Sequence, residues 1–344
     1  MDKSRRHPVF AEYEIKYETH LENFGVVHVL FNPISKEVTL LKSLLIEHVG
    51  LDTVNSIKKR IEVLKQANFP FVVHWTHYIQ DEKYLHFFRP FINAPSLQEY
   101  ISQHQEMDSK RILLLWRKIV EYINYLHYSR IFPSVIKPSN IFVLNENQII
   151  LTDLLEPLGD SRILLQTAPS NHFLYFSPEY FNNRSEMTKE SDVWSIGVIL
   201  MSMFGVSIPW KTKNIFAMVK LIMNTDEIPI EDPDVSSIVN SLLMKNPKER
   251  PNLDDVLSNH TTVINRRNQR RNSLENNEGG LPLLGQSKQN YHSHSSFPQQ
   301  KGLVSPITKH QIPIISQVKM RRNSVTYRPN QVAVKPILES IQEE

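Results

Sequence analysis

The chain has 344 residues, 40 % of them apolar and 22 % charged, which is enough to bury a full core in about two domains or lobes. Its lack of cysteine excludes disulfides, a thiol nucleophile and cysteine-ligated zinc. Neither a run of about 18 apolar residues nor a signal-peptide core occurs, so we expect no membrane span and a cytoplasmic or nuclear protein.

The net charge of +3 is unevenly distributed along the chain. Residues from Val263 onward include 12 Lys/Arg and 5 Asp/Glu, whereas the preceding residues include 27 and 31. The first part therefore carries a charge of −4 and the tail a charge of +7. A negatively charged body gives no indication of nucleic-acid binding, so we expect no nucleic-acid partner.

The first quarter of the chain is rich in predicted strands. Runs typical of strands are VVHVLF, EVTLLKSLL, FVVHWTHYI and KYLHFF. One segment between them, DTVNSIKKRIEVLKQA, has the apolar spacing of a helix. These patterns predict a small β-rich lobe over about residues 13–92 with a single long helix.

The middle of the chain is predicted to be helical, and its end is not predicted to fold. SKRILLLWRKIVEYINYLHYS and DVWSIGVILMSMF have helical apolar periodicity, and they indicate a larger lobe over about residues 93–262. Residues 263–344 are rich in Asn, Gln, Ser, Arg and His and have few aliphatic side chains. Such a segment buries too little apolar area to offset its ordering entropy, so we expect a mostly disordered tail.

Five motifs in the second lobe occur in a characteristic order. They are KPSNIFV, LTDLL, FSPEYF, SDVWSIGVIL and NPKERP. In this order they resemble the eukaryotic protein kinase family, in its serine/threonine-kinase-like branch. The resemblance covers about residues 13–262 and implies an α+β, bilobal protein-kinase-like fold.

The resemblance implies architectural roles for three charged residues of the second lobe. Glu179 is expected to pair with Arg250, and Asp192 is expected to brace the catalytic loop from the start of a buried helix that also carries Trp194. It also implies that Lys137 contacts the γ-phosphate.

Two residues of the same lobe match positions that bind magnesium in the family. Asn140 and Asp153 correspond to the two metal ligands of an active kinase. Both residue types also stabilise turns by bonding to nearby backbone, so a structural role stays open for them. Lys137 could equally serve to brace the loop.

In the first lobe, HLENFGVV resembles the glycine-rich loop that covers the nucleotide. Gly25 is its one retained glycine, and Val27 lies fifteen residues before Lys42, the usual spacing to the family's phosphate-pairing lysine. Lys42 is therefore the candidate for that role, the alternative being a solvated strand lysine. Leu40 stands where the family usually has an alanine over the adenine ring.

The catalytic loop departs from the pattern of an active kinase. Pro133, Ser134 and Val135 align with the family's His-Arg-Asp triplet. Val135 cannot accept a proton, and a positioned acid–base group typically contributes about 10²–10⁴-fold to the rate. Ser134 removes the arginine that would hold a phosphorylated activation loop. His172 replaces the threonine usual in the substrate-facing loop.

The predicted nucleotide clamp is also altered. His20 and Glu22 replace the first two glycines, and a carboxylate about 4 Å from a phosphate charge is repelled by about 4 kcal/mol at an effective dielectric near 20. Arg60 occupies the helix position that should offer a glutamate to Lys42. Glu62 is about 200° further around the helix and substitutes poorly.

These departures favour a pseudokinase that acts as a scaffold or allosteric regulator in phosphorylation signalling, without a cofactor. One alternative is an active or residually active ATP-dependent serine/threonine kinase, because phosphoryl transfer depends mainly on positioning. Another is a non-catalytic switch that binds ATP and magnesium. An active kinase is a candidate protein partner in the first case.

The basic tail contains RRNSL and RRNSV, which resemble substrate motifs of basophilic kinases. We therefore predict phosphorylation of Ser273 and Ser324 by such a kinase, with Ser305 in VSPIT as a proline-directed candidate. Each phosphate adds roughly −1.5 to −2 charges and could create a site for a phosphoserine reader. A basic segment that merely contains serines is the alternative.

Overall fold

The computed structural model describes residues 10–20, 25–67, 69–104, 107–133, 136–145, 147–154, 173–183 and 188–260. A β-sheet lobe is followed by a helical lobe, as the sequence predicts. The strands of the first lobe are β1 (Glu14–His20), β2 (Gly25–Phe31), β3 (Val38–Leu45), β5 (His77–Gln80) and β6 (Tyr84–Pro90). They form one antiparallel sheet in the order β1-β2-β3-β6-β5.

Two helices follow β3. They are α1 (Ile46–Val49) and α2 (Leu51–Gln66). Helix α2 matches the predicted helix because Val54, Ile57, Ile61 and Leu64 recur at helical spacing and are buried. It packs this apolar stripe into the main core, which continues into the second lobe.

The run FVVHWTHYI, predicted as one strand, contains two strands that belong to different sheets. Strand β4 (Val72–Val73) pairs in parallel with β8 (Gln148–Thr152), whereas β5 pairs with β6. Strand β7 (Ile141–Asn145) completes the second sheet, whose order is β4-β8-β7. The run is typical of one strand because both of its halves are part of a sheet, although the chain changes sheets at residues 74–76.

The helices of the second lobe surround one helix that is almost entirely buried. The named helices are α3 (Leu97–Gln103), α4 (Ser109–Tyr128), α5 (Pro178–Asn183), α6 (Lys189–Met203), α7 (Ile215–Asn224) and α8 (Pro233–Leu242), and residues 253–260 form α9. From Ser191 to Met201, helix α6 is buried on all sides, as an apolar sequence without a polar face predicts. Trp116 of α4 donates its indole N–H to the carbonyl of Ile196 in α6, at 3.1 Å.

Gly25 begins β2 at a point where the backbone of β3 comes very close. Its φ is 147°, and a Cβ there would lie 1.8 Å from the carbonyl oxygen of Ser43. Any side chain would therefore collide with backbone. The sheet requires this glycine independently of a nucleotide, so its retention is no evidence for phosphate binding.

Candidate active site

The first lobe presents three predicted site residues on paired strands. Val27 in β2 is the Cα partner of Lys42 in β3, so the fifteen-residue spacing places them opposite each other. Leu40, two residues before Lys42 on the same face of β3, is the Cα partner of Arg89 in β6. Phe87 lies opposite Lys42.

Arg89 is the residue of the site that the sequence analysis missed. Its side chain is only 3 % exposed, and its Nε donates to Oδ1 of Asp153 at 3.2 Å. The guanidinium carbon also lies 5.5 Å from the ring centroid of Trp75 and 5.8 Å from that of Phe142, within the range of cation–π attraction. The sequence signal was a single basic residue within the apolar strand YLHFFRP.

Asp153 follows the last residue of β8 and has an uncommon backbone conformation. Its φ of 54° lies in the left-handed region, which costs a residue other than glycine about 1–3 kcal/mol. Oδ1 accepts a hydrogen bond from Oγ1 of Thr152 at 3.3 Å in addition to that from Arg89. These contacts hold the carboxylate toward the first lobe.

Arg60 lies on α2, as predicted, but it contacts backbone of the second lobe. Its Nε donates to the carbonyl of Leu154 at 2.8 Å, and an Nη donates to the carbonyl of Phe132. Burial lowers the pKa of Arg60, and attraction from Asp192 raises it. Arg60 thereby fastens the helix to the residue after Asp153.

No glutamate of α2 forms an ion pair with Lys42. Glu62 is about half exposed and pairs with Lys65 at 3.0 Å, on the outer surface of the helix. Within the described ranges, no carboxylate forms an ion pair with Lys42. Among the described residues, the expected pair of a lysine and a glutamate is therefore replaced by a lysine without a carboxylate partner and by an arginine that binds elsewhere.

Lys137 and Asn140 lie at the base of the second sheet. The Lys137 side chain is buried, and its ammonium lies 5.8 Å from the ring centroid of Phe176. Asn140 ends the 3₁₀ turn Pro138–Asn140, directly before β7. Because Ile141 is the Cα partner of Leu151, Asn140 and Asp153 flank the same end of the β7–β8 hairpin.

The architectural charges are buried and paired. Arg250 makes two parallel hydrogen bonds to Glu179, at 2.7 and 2.8 Å, and its side chain is completely buried. Asp192, at the start of α6, accepts a hydrogen bond from Nε2 of His127 at 2.8 Å. Trp194 follows two residues later in α6, and its ring centroid lies 5.3 Å from the guanidinium carbon of Arg250. The predicted ion pair between Glu179 and Arg250 is therefore present.

The model of the protein kinase domain family matches residues 23–261, which is most of the chain. The chain belongs to the protein kinase family. This match confirms the family and the bilobal fold that the five motifs predict. The domain bounds 13–262 stay a prediction, since the match begins later.

The relatives of this kinase domain include proteins named as kinases. The serine/threonine-protein kinase KIN4 of Saccharomyces cerevisiae is 22 % identical over 274 residues, covering 73 % of this chain and 34 % of that protein. The NUAK family SNF1-like kinase 2 of Homo sapiens is 28 % identical over 204 residues, covering 59 % of this chain and 32 % of that protein. This chain therefore spans about a third of the length of these relatives.

A kinase domain implies ATP and magnesium, but the metal ligands do not fit this role. The carboxylate of Asp153 is already paired with a buried guanidinium. A divalent ion about 4 Å from that guanidinium would be repelled by about 8 kcal/mol at an effective dielectric near 20, which offsets a large part of its attraction to Asp153. In the described residues, no group of three or more His, Asp or Glu side chains could hold a metal.

Several predicted positions lie outside the described residues. They are Glu22, Ser134, Val135, His172, Ser273, Ser305 and Ser324. Their assignments stay predictions from the sequence. His20 is described, and Nε2 of its exposed ring lies 3.6 Å from Oε1 of Glu18.

No helix in the described part of the chain is long and apolar enough to cross a membrane.

Proposed function

We propose that this kinase domain is a pseudokinase that regulates other proteins in phosphorylation signalling by binding them. The observation that carries the proposal is the ion pair between Arg89 and Asp153. In an active kinase this aspartate holds magnesium against the ATP phosphates. Here its carboxylate is paired with Arg89 in the sheet of the first lobe.

Three further features support loss of phosphoryl transfer. Arg60 donates to the backbone of the second lobe instead of offering a carboxylate to Lys42. Leu40 adds bulk beside Arg89 where a small residue would leave room for adenine. Val135 stands at the position of the catalytic base. The base, the nucleotide clamp and the metal ligand are separate parts of the mechanism, and each is altered.

The features that remain intact favour a binding role, because they preserve the fold of the second lobe. Glu179, Arg250, Asp192 and the buried helix α6 preserve the second lobe and its surface. We propose that this surface binds protein partners, an active kinase being one candidate. We also propose that a basophilic kinase phosphorylates Ser273 and Ser324, with Ser305 a proline-directed candidate, and that a phosphoserine reader can then bind the tail.

A residually active serine/threonine kinase is the second candidate function. It is favoured by Lys137, Asn140 and Asp153, which retain the family's residue types, and by a relative named as a serine/threonine-protein kinase. A non-catalytic ATP switch would use the same residues. Both alternatives require Asp153 to leave Arg89 when magnesium and nucleotide arrive.

Radiolabelled phosphate transfer separates the first two functions. The full chain should transfer no more phosphate, to itself or to generic peptides, than its Asp153→Ala variant. Val135→Asp should not restore transfer, because Arg89, Leu40 and Arg60 still obstruct the nucleotide and metal sites. Labelling by the wild type that the Asp153→Ala substitution abolishes would contradict the proposal and favour the residually active kinase.

A further inference from the structure

Two arginines of the first lobe contact the same short stretch of the second lobe. Arg89 binds the side chain of Asp153, and Arg60 binds the carbonyl of the next residue, Leu154. Only the first of these contacts uses the carboxylate that the family would give to a metal. This difference allows the two arginines to be tested separately.

We infer that Arg89 is a built-in cation that replaces the divalent metal at Asp153, and that this one residue excludes metal from the cleft. The inference deepens the proposed function, on which it rests. It predicts that an uncharged residue at position 89 turns the site into one that accepts a hard divalent cation such as Mn²⁺ or Mg²⁺.

The surroundings of Arg89 favour a fixed contact. Its guanidinium lies near the rings of Trp75 and Phe142, and another of its nitrogens donates to the carbonyl of Pro90 at 3.1 Å. Leu40 lies directly across the sheet. A buried guanidinium stays charged and is planar enough to lie against aromatic rings. The guanidinium of Arg89 is therefore held in a defined position, in which Asp153 supplies the opposite charge.

The same surroundings explain why metal is excluded. Asp153 is 18 % exposed, so its carboxylate can be reached from solvent, but the guanidinium at 3.2 Å satisfies its charge. A divalent ion would have to displace Arg89 or bind beside it. Displacement would leave a buried, unpaired arginine, and breaking a buried pair by removing one partner is strongly destabilising.

Removal of Arg89 should leave the oxygen ligands in place. Arg60 still fastens Leu154, and the β7–β8 hairpin still brings Asn140 to the same end as Asp153. A carboxylate and an amide oxygen are ligands that Mg²⁺ and Mn²⁺ accept, with water completing the shell. A freed Asp153 should therefore bind such an ion weakly, without nucleotide.

The test compares Mn²⁺ binding by the full-length wild type and by its Arg89→Met variant. Electron paramagnetic resonance counts bound Mn²⁺, and thermal melting in low millimolar MnCl₂ gives a second readout. The wild type should bind no Mn²⁺ at the cleft. Arg89→Met should gain one ion per chain and a higher melting temperature in MnCl₂, and adding Asp153→Asn should remove both gains.

Arg60→Met is the matched control, because it removes the neighbouring arginine, whose hydrogen bonds go to backbone carbonyls, and leaves Asp153 paired with Arg89. It should lower the melting temperature and gain no Mn²⁺. Arg89→Gln provides a second uncharged variant should Arg89→Met fail to fold. Mn²⁺ bound by the wild type in a manner abolished by Asp153→Asn would overturn the inference, as would a folded Arg89→Met or Arg89→Gln variant without bound Mn²⁺. Phosphate transfer is not a readout here, so failure of the inference and failure of the proposed function are distinguishable.

Discussion

Arg250→Ala should lower the melting temperature of the kinase domain by roughly 6–20 °C, because breaking a buried ion pair costs about 3–5 kcal/mol and each kcal/mol corresponds to about 2–4 °C in a domain of this size. Arg250 is completely buried and binds both oxygens of Glu179. It also donates to the carbonyls of Met244 and Glu190. Its loss leaves Glu179, which is 19 % exposed, without its opposite charge, and it also leaves two backbone carbonyls without their donor.

Lys42→Ala is the control for this prediction. Lys42 is half-buried on a strand, and no ion pair to it is found in the described residues. Its replacement should change the melting temperature by only a degree or two, since substitutions without a specific buried partner cost about 0.5 kcal/mol or less. Equal, small effects of the two substitutions in thermal melting would contradict the assigned role of the ion pair.

The same pair predicts how stability depends on pH. Burial raises the pKa of Glu179, but hydrogen bonding to Arg250 and attraction to it outweigh that effect and lower the pKa overall. A carboxyl group with a lowered pKa stabilises the fold above its ordinary pKa. This contribution should be lost as the pH falls through the lowered pKa, and the loss should be absent from Arg250→Ala.

Asp153→Ala should also destabilise the protein strongly, although an aspartate that only held a metal would be dispensable for folding. The substitution leaves the guanidinium of Arg89 buried at 3 % exposure without an opposite charge. Removing one partner from a buried pair costs about 3–5 kcal/mol. Denaturant unfolding of the wild type and the variant gives the difference in the free energy of unfolding.

Double substitution distinguishes the ion pair from other roles of Asp153. Arg89→Met alone leaves a partly exposed carboxylate, which water can still solvate, so it should cost less than Asp153→Ala. The variant with both substitutions should be more stable than Asp153→Ala alone, because no buried charge remains unpaired. Additive losses in the double variant would show that the two residues do not interact.

The family and the fold could be predicted because their signals are local or ordered along the chain. Helix α2 follows from apolar residues at helical spacing, and the burial of α6 follows from its lack of a polar face. The pairing of Glu179 with Arg250 joins residues 71 positions apart, but each lies in a short motif of a known order. The spacing of Val27 and Lys42 was sufficient because one hairpin connects them.

The contact between Arg89 and Asp153 could not be predicted from the same signals. It joins residues 64 positions apart in different lobes, and neither strand pattern nor motif order relates them. The sequence did not fix which residue between His86 and Phe91 faces the cleft. A shift of one residue turns a side chain to the opposite face of a sheet, so Arg89 could equally have been solvated. For Gly25, a motif signal was present but ambiguous. The family motif suggested a phosphate role for a glycine that the sheet itself requires.

Thermal melting of the full chain with ATP and magnesium tests the central claim most directly. Binding to the native state stabilises it by RT ln(1 + [L]/Kd), or about 2.7 kcal/mol at a hundredfold excess over Kd. Arg89 pairs with Asp153, Leu40 lies opposite Arg89 at the proposed adenine position, and Arg60 donates to the backbone of the second lobe. We therefore expect no change in melting temperature at low millimolar MgATP. A clear, saturable rise that requires both ATP and magnesium would contradict the account and favour a nucleotide-dependent switch or kinase.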